Sequence, residues 1–249
     1  MAVSPYAPEQ NNLLRTLPDA AQALLVPHLE PVTLGRGLVV EAVDDPVTRV
    51  IFPLTGVGSM LAVGDGKRRI EAGLFGSEGM SGVSVVLGSV DNPSEVVIQI
   101  PGHGLAIETG VLRGLLEESP ALHRHLLLYV LTLLVQVTYT AFSNGQAKLE
   151  ERLARWLLMC HDRIGGDRMA LTHEFLSIML GVRRAGVTVG THLLEGKGLI
   201  RANRGEIIVL DRAGLEQEAK GSYGVPEAEY VRLLGSWQPD RLPGGAAEF

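Results

Sequence analysis

Arg183 and Arg184 stand side by side at the start of a segment in which Val187, Thr191 and Leu194 recur at helical spacing. Two fixed positive charges at one end of an amphipathic helix suit contact with phosphate rather than the making or breaking of bonds. Other elements must hold that helix in place. Upstream, Phe175, Leu176, Met179 and Leu180 also recur at helical spacing, so a first helix buries one face. Gly181 follows, and glycine enters a left-handed turn without steric cost. Helix, glycine turn, helix over residues 171–200 predicts a helix-turn-helix whose second helix enters the DNA major groove. Downstream, a turn at Asn203–Gly205 between two β-like runs predicts a small wing.

The chain has 249 residues, 46% apolar and 20% charged, the balance of a globular protein with a real core. A net charge of −6 argues against a polyanionic partner until the charge is mapped along the chain. Residues 146–212 hold 11 Lys/Arg against 8 Asp/Glu, whereas residues 1–145 hold 8 against 14 and residues 213–249 hold 3 against 6. The basic segment is the one that carries the helix pair, as a footprint on phosphate requires. Enzyme chemistry finds no support: there is no Walker loop, no G-x-S-x-G, no H-E-x-x-H and no carboxylate pair at an informative spacing. One cysteine, Cys160, excludes a disulfide framework and a four-cysteine zinc or iron–sulfur site. No metal and no cofactor is expected. The start MAVSPYAPEQNN lacks a basic region followed by an apolar core, so no secretory signal is read and the cytoplasm is the expected location. The uninterrupted apolar or hydroxyl run from 126 to 135 is shorter than the roughly 20 residues of a membrane span, so no membrane partner is expected.

Residues 12–30 read as one or two short helices. From 31 to 108 the texture is β-like, with candidate strands at 38–42, 49–53, 58–63, 68–74, 95–100 and 105–108. Short runs punctuated by Gly, Pro and Asp predict an antiparallel sandwich or barrel. Residues 110–143 turn helical, with Pro120 in the first turn of a long second part. There Leu126, Val130, Leu133 and Val137 share one face, and Leu127, Leu131, Leu134 and Thr138 share the next. One face can cover the β domain. The other needs a second partner, from the same chain or across a dimer seam. A break at Ser143–Gly145 and a further helix over 146–163 follow, with Leu149, Leu153, Trp156, Leu157 and Cys160 on its buried face. From 213 on an acidic, poorly ordered tail is expected after a short helix near Glu227–Leu234.

This order of parts resembles the Crp–Fnr superfamily of bacterial transcription regulators. The resemblance is carried by RGLVVEAVDDPVTRVIFPLTGVGSM, by ERLARWLL, and by LTHEFLSIMLGVRRAGVTVGTHLLEGKGLI. It implies an α+β chain with an N-terminal antiparallel, jelly-roll-like β-roll, a long central dimerisation helix and a C-terminal winged helix-turn-helix. The corresponding divisions are a sensor at 1–109, the helix at 110–145, the DNA-binding domain at 146–215 and an acidic extension at 216–249. It also implies a homodimer on a near-palindromic double-stranded DNA site, with RNA polymerase as a further candidate partner and the β domain as sensor of an unknown effector. A reading from another class is an effector-binding or protein-interaction regulator whose helix-turn-helix docks a partner rather than DNA.

The resemblance also assigns roles. Arg184 occupies the place of the family's main base-reading arginine, whose fork can grip guanine O6 and N7. Arg183, where a capping serine is common, is placed to reach a phosphate. Thr188, Val189 and His192 project from the same helix toward base edges or backbone, Thr172 matches a phosphate contact, and Arg201 and Arg204 flank the wing. Ala185 stands where the family has an acidic base reader, so the recognised sequence cannot be borrowed from the best-known members. Glu174 brings a carboxylate where a cation would help. Gly186 and Gly190 each cost a helix about 1 kcal/mol relative to Ala, which predicts a helix held by packing. In the sensor, the stretch EGMSGVSVVLGSVDNPSEVVIQIPG lacks the glutamate and arginine that hold a cyclic nucleotide in the family, leaving backbone amides between Gly79 and Gly82 as a phosphate nest. No cyclic AMP binding is expected. His103, His123 and His125 are read as ordinary histidines, and the basic turn 65–69 as a solvated loop.

Overall fold

The computed structural model describes residues 6–235. Helices α1 (Asn12–Arg15) and α2 (Asp19–Leu25) open the chain. Asn11 fixes the entry: its side-chain oxygen accepts from Leu14 N at 3.0 Å while its amide donates to Pro53 O at 2.7 Å. Strands β1 (Glu30–Leu34), β2 (Val39–Glu41), β3 (Arg49–Pro53), β4 (Val57–Gly64), β5 (Arg68–Phe75), β6 (Glu95–Ile100) and β7 (Gly102–Glu108) then form two antiparallel sheets. Their orders are β1-β7-β3 and β2-β6-β4-β5, and Leu34, Ile51, Ile98 and Ala106 pack in a small buried cluster. The six expected strands are present within a few residues of their expected limits. The strand without a sequence signal is β1. It lies at a sheet edge, contains Pro31 and buries only Leu34, so it carries no alternating apolar pattern.

Helix α3 (Val83–Val86) interrupts the strands, and α4 (Thr109–Glu118) leads into α5 (Pro120–Gln146). Ser119 caps α5 by accepting from Leu122 N, and Pro120 sits in the first turn, where its missing N–H is no loss. The expected break at Ser143–Gly145 falls inside this helix. Gly145 sits in the last turn, and the chain turns at Ala147–Lys148 instead. The 27 residues of α5 are long and apolar enough to cross a membrane. Here they cover a core. Leu122, Leu126, Tyr129 and Leu133 are buried against the β-roll, and the buried Gln136 side chain accepts from Leu74 N at 2.8 Å. The neighbouring row is left bare: Leu131 is 41% and Leu134 59% exposed, with Leu127 and Phe142 alongside.

Helix α6 (Leu149–His161) turns back from α5, followed by β8 (Arg168–Met169), α7 (His173–Met179), α8 (Arg184–Gly196), β9 (Ile200–Asn203) and β10 (Glu206–Val209). Strand β10 pairs with both β8 and β9, giving a three-stranded wing. Two further helices, α9 (Arg212–Glu218) and α10 (Val225–Leu234), follow, and the poorly ordered stretch expected after the second lies outside the described residues. Tyr230 and Leu234 of α10 are buried in the core formed by α1, α2, β3, α4 and α5. The Tyr230 hydroxyl donates to Glu78 O at 2.7 Å and accepts from the Asn12 amide at 3.0 Å. The expected short helix is thus present, but it straps the C-terminal part onto the N-terminal one. Residues 236–249 lie outside the described residues.

Candidate nucleic-acid interface

The helix pair is built from the inside out. Gly181 has φ +62°, so the backbone favours glycine at this turn, and a Cβ there would also have to displace the Ile70 side chain, whose Cδ1 lies 2.9 Å away. Arg152 of α6 donates to Leu180 O, placing a cation on the carbonyl end of α7. Thr172 caps α7, its hydroxyl accepting from Phe175 N at 3.2 Å. His173 Nδ1 pairs with the Thr188 hydroxyl at 3.1 Å and ties α7 to α8.

On α8, Val187, Gly190, Thr191 and Leu194 are buried, and the opposite side is open. Gly186 and Gly190 face α6: added Cβ atoms would meet Leu149 Cδ2 at 3.2 Å and Leu153 Cδ2 at 3.5 Å respectively. The contact is tight at Gly186 and of ordinary length at Gly190. Glu195 accepts from Ala202 N at 3.0 Å and anchors the first wing strand to α8. Turn residue Gly205 has φ +78° and closes the wing hairpin between Asn203 and Glu206.

The candidate residues sort clearly on this frame. Arg183 is the N-cap of α8 and makes no side-chain capping bond; Arg184 begins the helix, and both are exposed. Val189, 59% exposed, and His192 share the open side with Ala185 and Leu193. Thr172, Arg201 and Arg204 are exposed as well. Thr188 is half-buried, with its hydroxyl engaged by His173 and by Arg184 O. Residues that sequence reasoning missed are the supports: Arg152, Glu195 and His173. Their partners are backbone groups or side chains far along the chain, so spacing gives no signal for them.

The opposite side of this module is docked on the β-roll. Trp156 Nε1 donates to Glu71 at 2.7 Å, and Ser59 donates to the same carboxylate. Burial pushes the Glu71 carboxyl up to about 7, against the pull of those donors and of the Arg155 and Arg163 charges. Arg163 and Glu78 form an ion pair at 2.7 Å with both side chains only 3% exposed. Burial also pushes the Cys160 thiol up, which suits an inert core residue.

The sensor groups are equally explicit. Gly82 N donates to Glu41 at 2.6 Å, Gly79 N to Gly76 O and Ser81 N to Ile51 O. Three amides of the expected nest, those of Gly79, Ser81 and Gly82, are therefore engaged within the chain. The ring nitrogens of His123 and His125 meet Val86 O at 2.9 Å and Leu13 O at 3.2 Å, and His103 pairs with the Thr55 hydroxyl at 3.0 Å. Arg69 pairs with Glu95 at 2.7 Å, which neutralises part of the basic hairpin tip.

The described residues thus combine a β-roll, a long helix with one bare row and a winged helix-turn-helix. Residues 151–218 match the family model of the Crp-like helix-turn-helix domain. The chain has the fold of Crp/Fnr-family transcription regulators. A Crp/Fnr-family regulator from Thermus thermophilus superposes with a TM-score of 0.63 at 21% identity, covering 78% of this chain and 100% of its own. FixK2 from Bradyrhizobium japonicum gives 0.65 at 16% identity, covering 76% and 96%. The c-di-GMP-responsive global regulator CLP of Xanthomonas campestris gives 0.61 at 16% identity, covering 77% and 99%. Among curated proteins no sequence matches.

Proposed function

We propose that this chain is a cytoplasmic, sequence-specific DNA-binding regulator of transcription that acts as a homodimer on a near-palindromic site. The observation that carries the reading is the open face of α8, where Arg183 and Arg184 are exposed beside Val189 and His192, with Arg201 and Arg204 on the adjoining wing. Arg184 reads a base and the other cations hold phosphates. Two copies pair along the bare row of α5, which sets their recognition helices one DNA turn apart. No catalytic role is assigned. Cyclic AMP is not the effector in this reading, because the amides of residues 79, 81 and 82 are spent within the chain, the last of them on the Glu41 carboxyl.

The test is duplex binding as a function of salt after selection of a preferred sequence from a random pool. Arg184→Ala is expected to lose roughly 1–3 kcal/mol and to relax preference at one base position, as for a bidentate guanine contact. Arg183→Ala should weaken all sequences alike and lower the salt slope by about one. Absence of duplex binding by the unmodified dimer at low salt would instead favour a helix-turn-helix that docks a protein, for which exposed Val189 and Leu193 supply an apolar surface.

A further inference from the structure

A cavity of about 190 Å³ lies between the second sheet, the segment 80–84 and the central helix. Its walls are largely apolar and soft: Met60, Phe75, Met80, Val83, Val96 and Leu133. None of the lining residues is Lys, Arg or His.

The polar groups on the wall are nearly all satisfied from inside the chain. Glu41 accepts from Gly82 N at 2.6 Å and from the Asn92 amide, and Ser81 also bonds to it. Burial pushes the Glu41 carboxyl up. Asn92 in turn accepts from Ser94 N at 3.0 Å, and Ser81 Oγ accepts from Ile51 N at 2.9 Å. What remains is the Ser84 hydroxyl, buried and without a hydrogen-bond partner.

An anion here would face a carboxylate and no cation, with the amides of Gly79, Ser81 and Gly82 already engaged. A cavity of about 150 Å³ with similar walls holds a benzene-sized guest, so this one has room for a single ring or a short chain. A nucleotide is too large as well as wrongly charged.

We propose that this cavity binds a small, uncharged, mainly apolar molecule bearing one hydrogen-bonding group, which pairs with Ser84. Leu133 brings the central helix into the cavity wall, and its neighbour Leu134 stands on the bare row. Occupancy therefore bears directly on the helix that pairs the two copies. That last link rests on the dimeric-regulator reading; binding itself does not.

The test uses the full chain with 13C-methyl methionine, followed by NMR during titration with benzyl alcohol, toluene, benzoate and cyclic AMP. Saturable shifts of the Met60 and Met80 methyls are expected with the two neutral probes. Benzoate should bind at least about tenfold more weakly, and cyclic AMP should leave both signals in place. Ser84→Ala should weaken benzyl alcohol about fivefold and toluene less than about twofold, the worth of one hydrogen bond. Leu87→Trp, placed at the 62% exposed rim where the fold tolerates bulk, should weaken both neutral probes. The proposal is overturned if benzoate binds as tightly as benzyl alcohol. It is equally overturned if neither neutral probe moves Met60 and Met80, or if Ser84→Ala affects toluene and benzyl alcohol alike. Because the readout needs no DNA, failure of the regulator reading leaves this test intact.

Discussion

At the scale of single residues, Gly190 shows how a local cost is set by a neighbour. Glycine in a helix interior is worth about 1 kcal/mol less than alanine. A methyl at 190 would meet Leu153 Cδ2 at 3.5 Å and Leu149 Cγ at 3.6 Å, ordinary contact distances. Gly190→Ala should therefore raise the melting temperature by roughly 2–4 °C, measured by calorimetry, with unchanged duplex binding. The same change at Gly186 meets Leu149 Cδ2 at 3.2 Å and should be neutral or mildly destabilising. Glu71 supplies a pH effect with a definite sign. Its carboxyl titrates near 7 when folded, against an ordinary value of 4.5. Between these values the native state holds a proton that the unfolded chain has lost, so stability falls as pH rises through this window and levels off above it. The total is on the order of 3 kcal/mol. Glu71→Gln keeps an acceptor for Trp156, turns its amide to the Ser59 hydroxyl as a donor and removes this titration, so urea midpoints should depend less steeply on pH over that range.

At the scale of elements, legibility follows periodicity. Strands β3 and β6 and the helix pair α7 and α8 carry strong local patterns, and their positions are readable from spacing and turn residues alone. The end of α5 is not, because Gly145 lies in the last turn of the helix, where it reads as a break one turn too early. The bare row of α5 is readable as a row, but not as bare: which face meets the β-roll depends on residues such as Leu74 and Phe75 far along the chain. Leu131→Asp with Leu134→Asp tests what that row is for. Both sites are exposed in one copy, so the fold should survive, and sedimentation should show monomers with weakened duplex binding. Dimers persisting in the double variant would refute this role for the row. The strap α10 is legible as a helix and illegible as a strap, because its anchors, Asn12 and Glu78, are distant in sequence and Tyr230 alone announces nothing.

For the whole molecule, the division into a β-roll and a helix-turn-helix module is clear in the sequence and blurred in the packing. Val57, Leu61, Leu74 and Val97 of the β-roll lie in one buried cluster with Leu153, Trp156, Leu176 and Val187 of the helix-turn-helix module. Gln99 donates to Met179 Sδ, Arg36 to Ala170 O, and the Arg163–Glu78 pair spans the same boundary. Sequence patterns mark where each helix or strand buries a face. They do not say that two such faces belong to each other. The exposed candidates on α8 and the wing could be placed from local spacing; the cavity walls, gathered from β2, β4, β5, α3, β6 and α5, could not.

The shared core also governs how the protein comes apart. Once apolar surface is common to two modules, neither can open without exposing the other, so heat should remove both in a single cooperative step. Differential scanning calorimetry should give one transition whose calorimetric and van't Hoff enthalpies agree, where independently folding modules would give two. A consequence for turnover in the cell is that a lesion anywhere in that cluster, even one remote from any DNA contact, puts the entire polypeptide within reach of proteases.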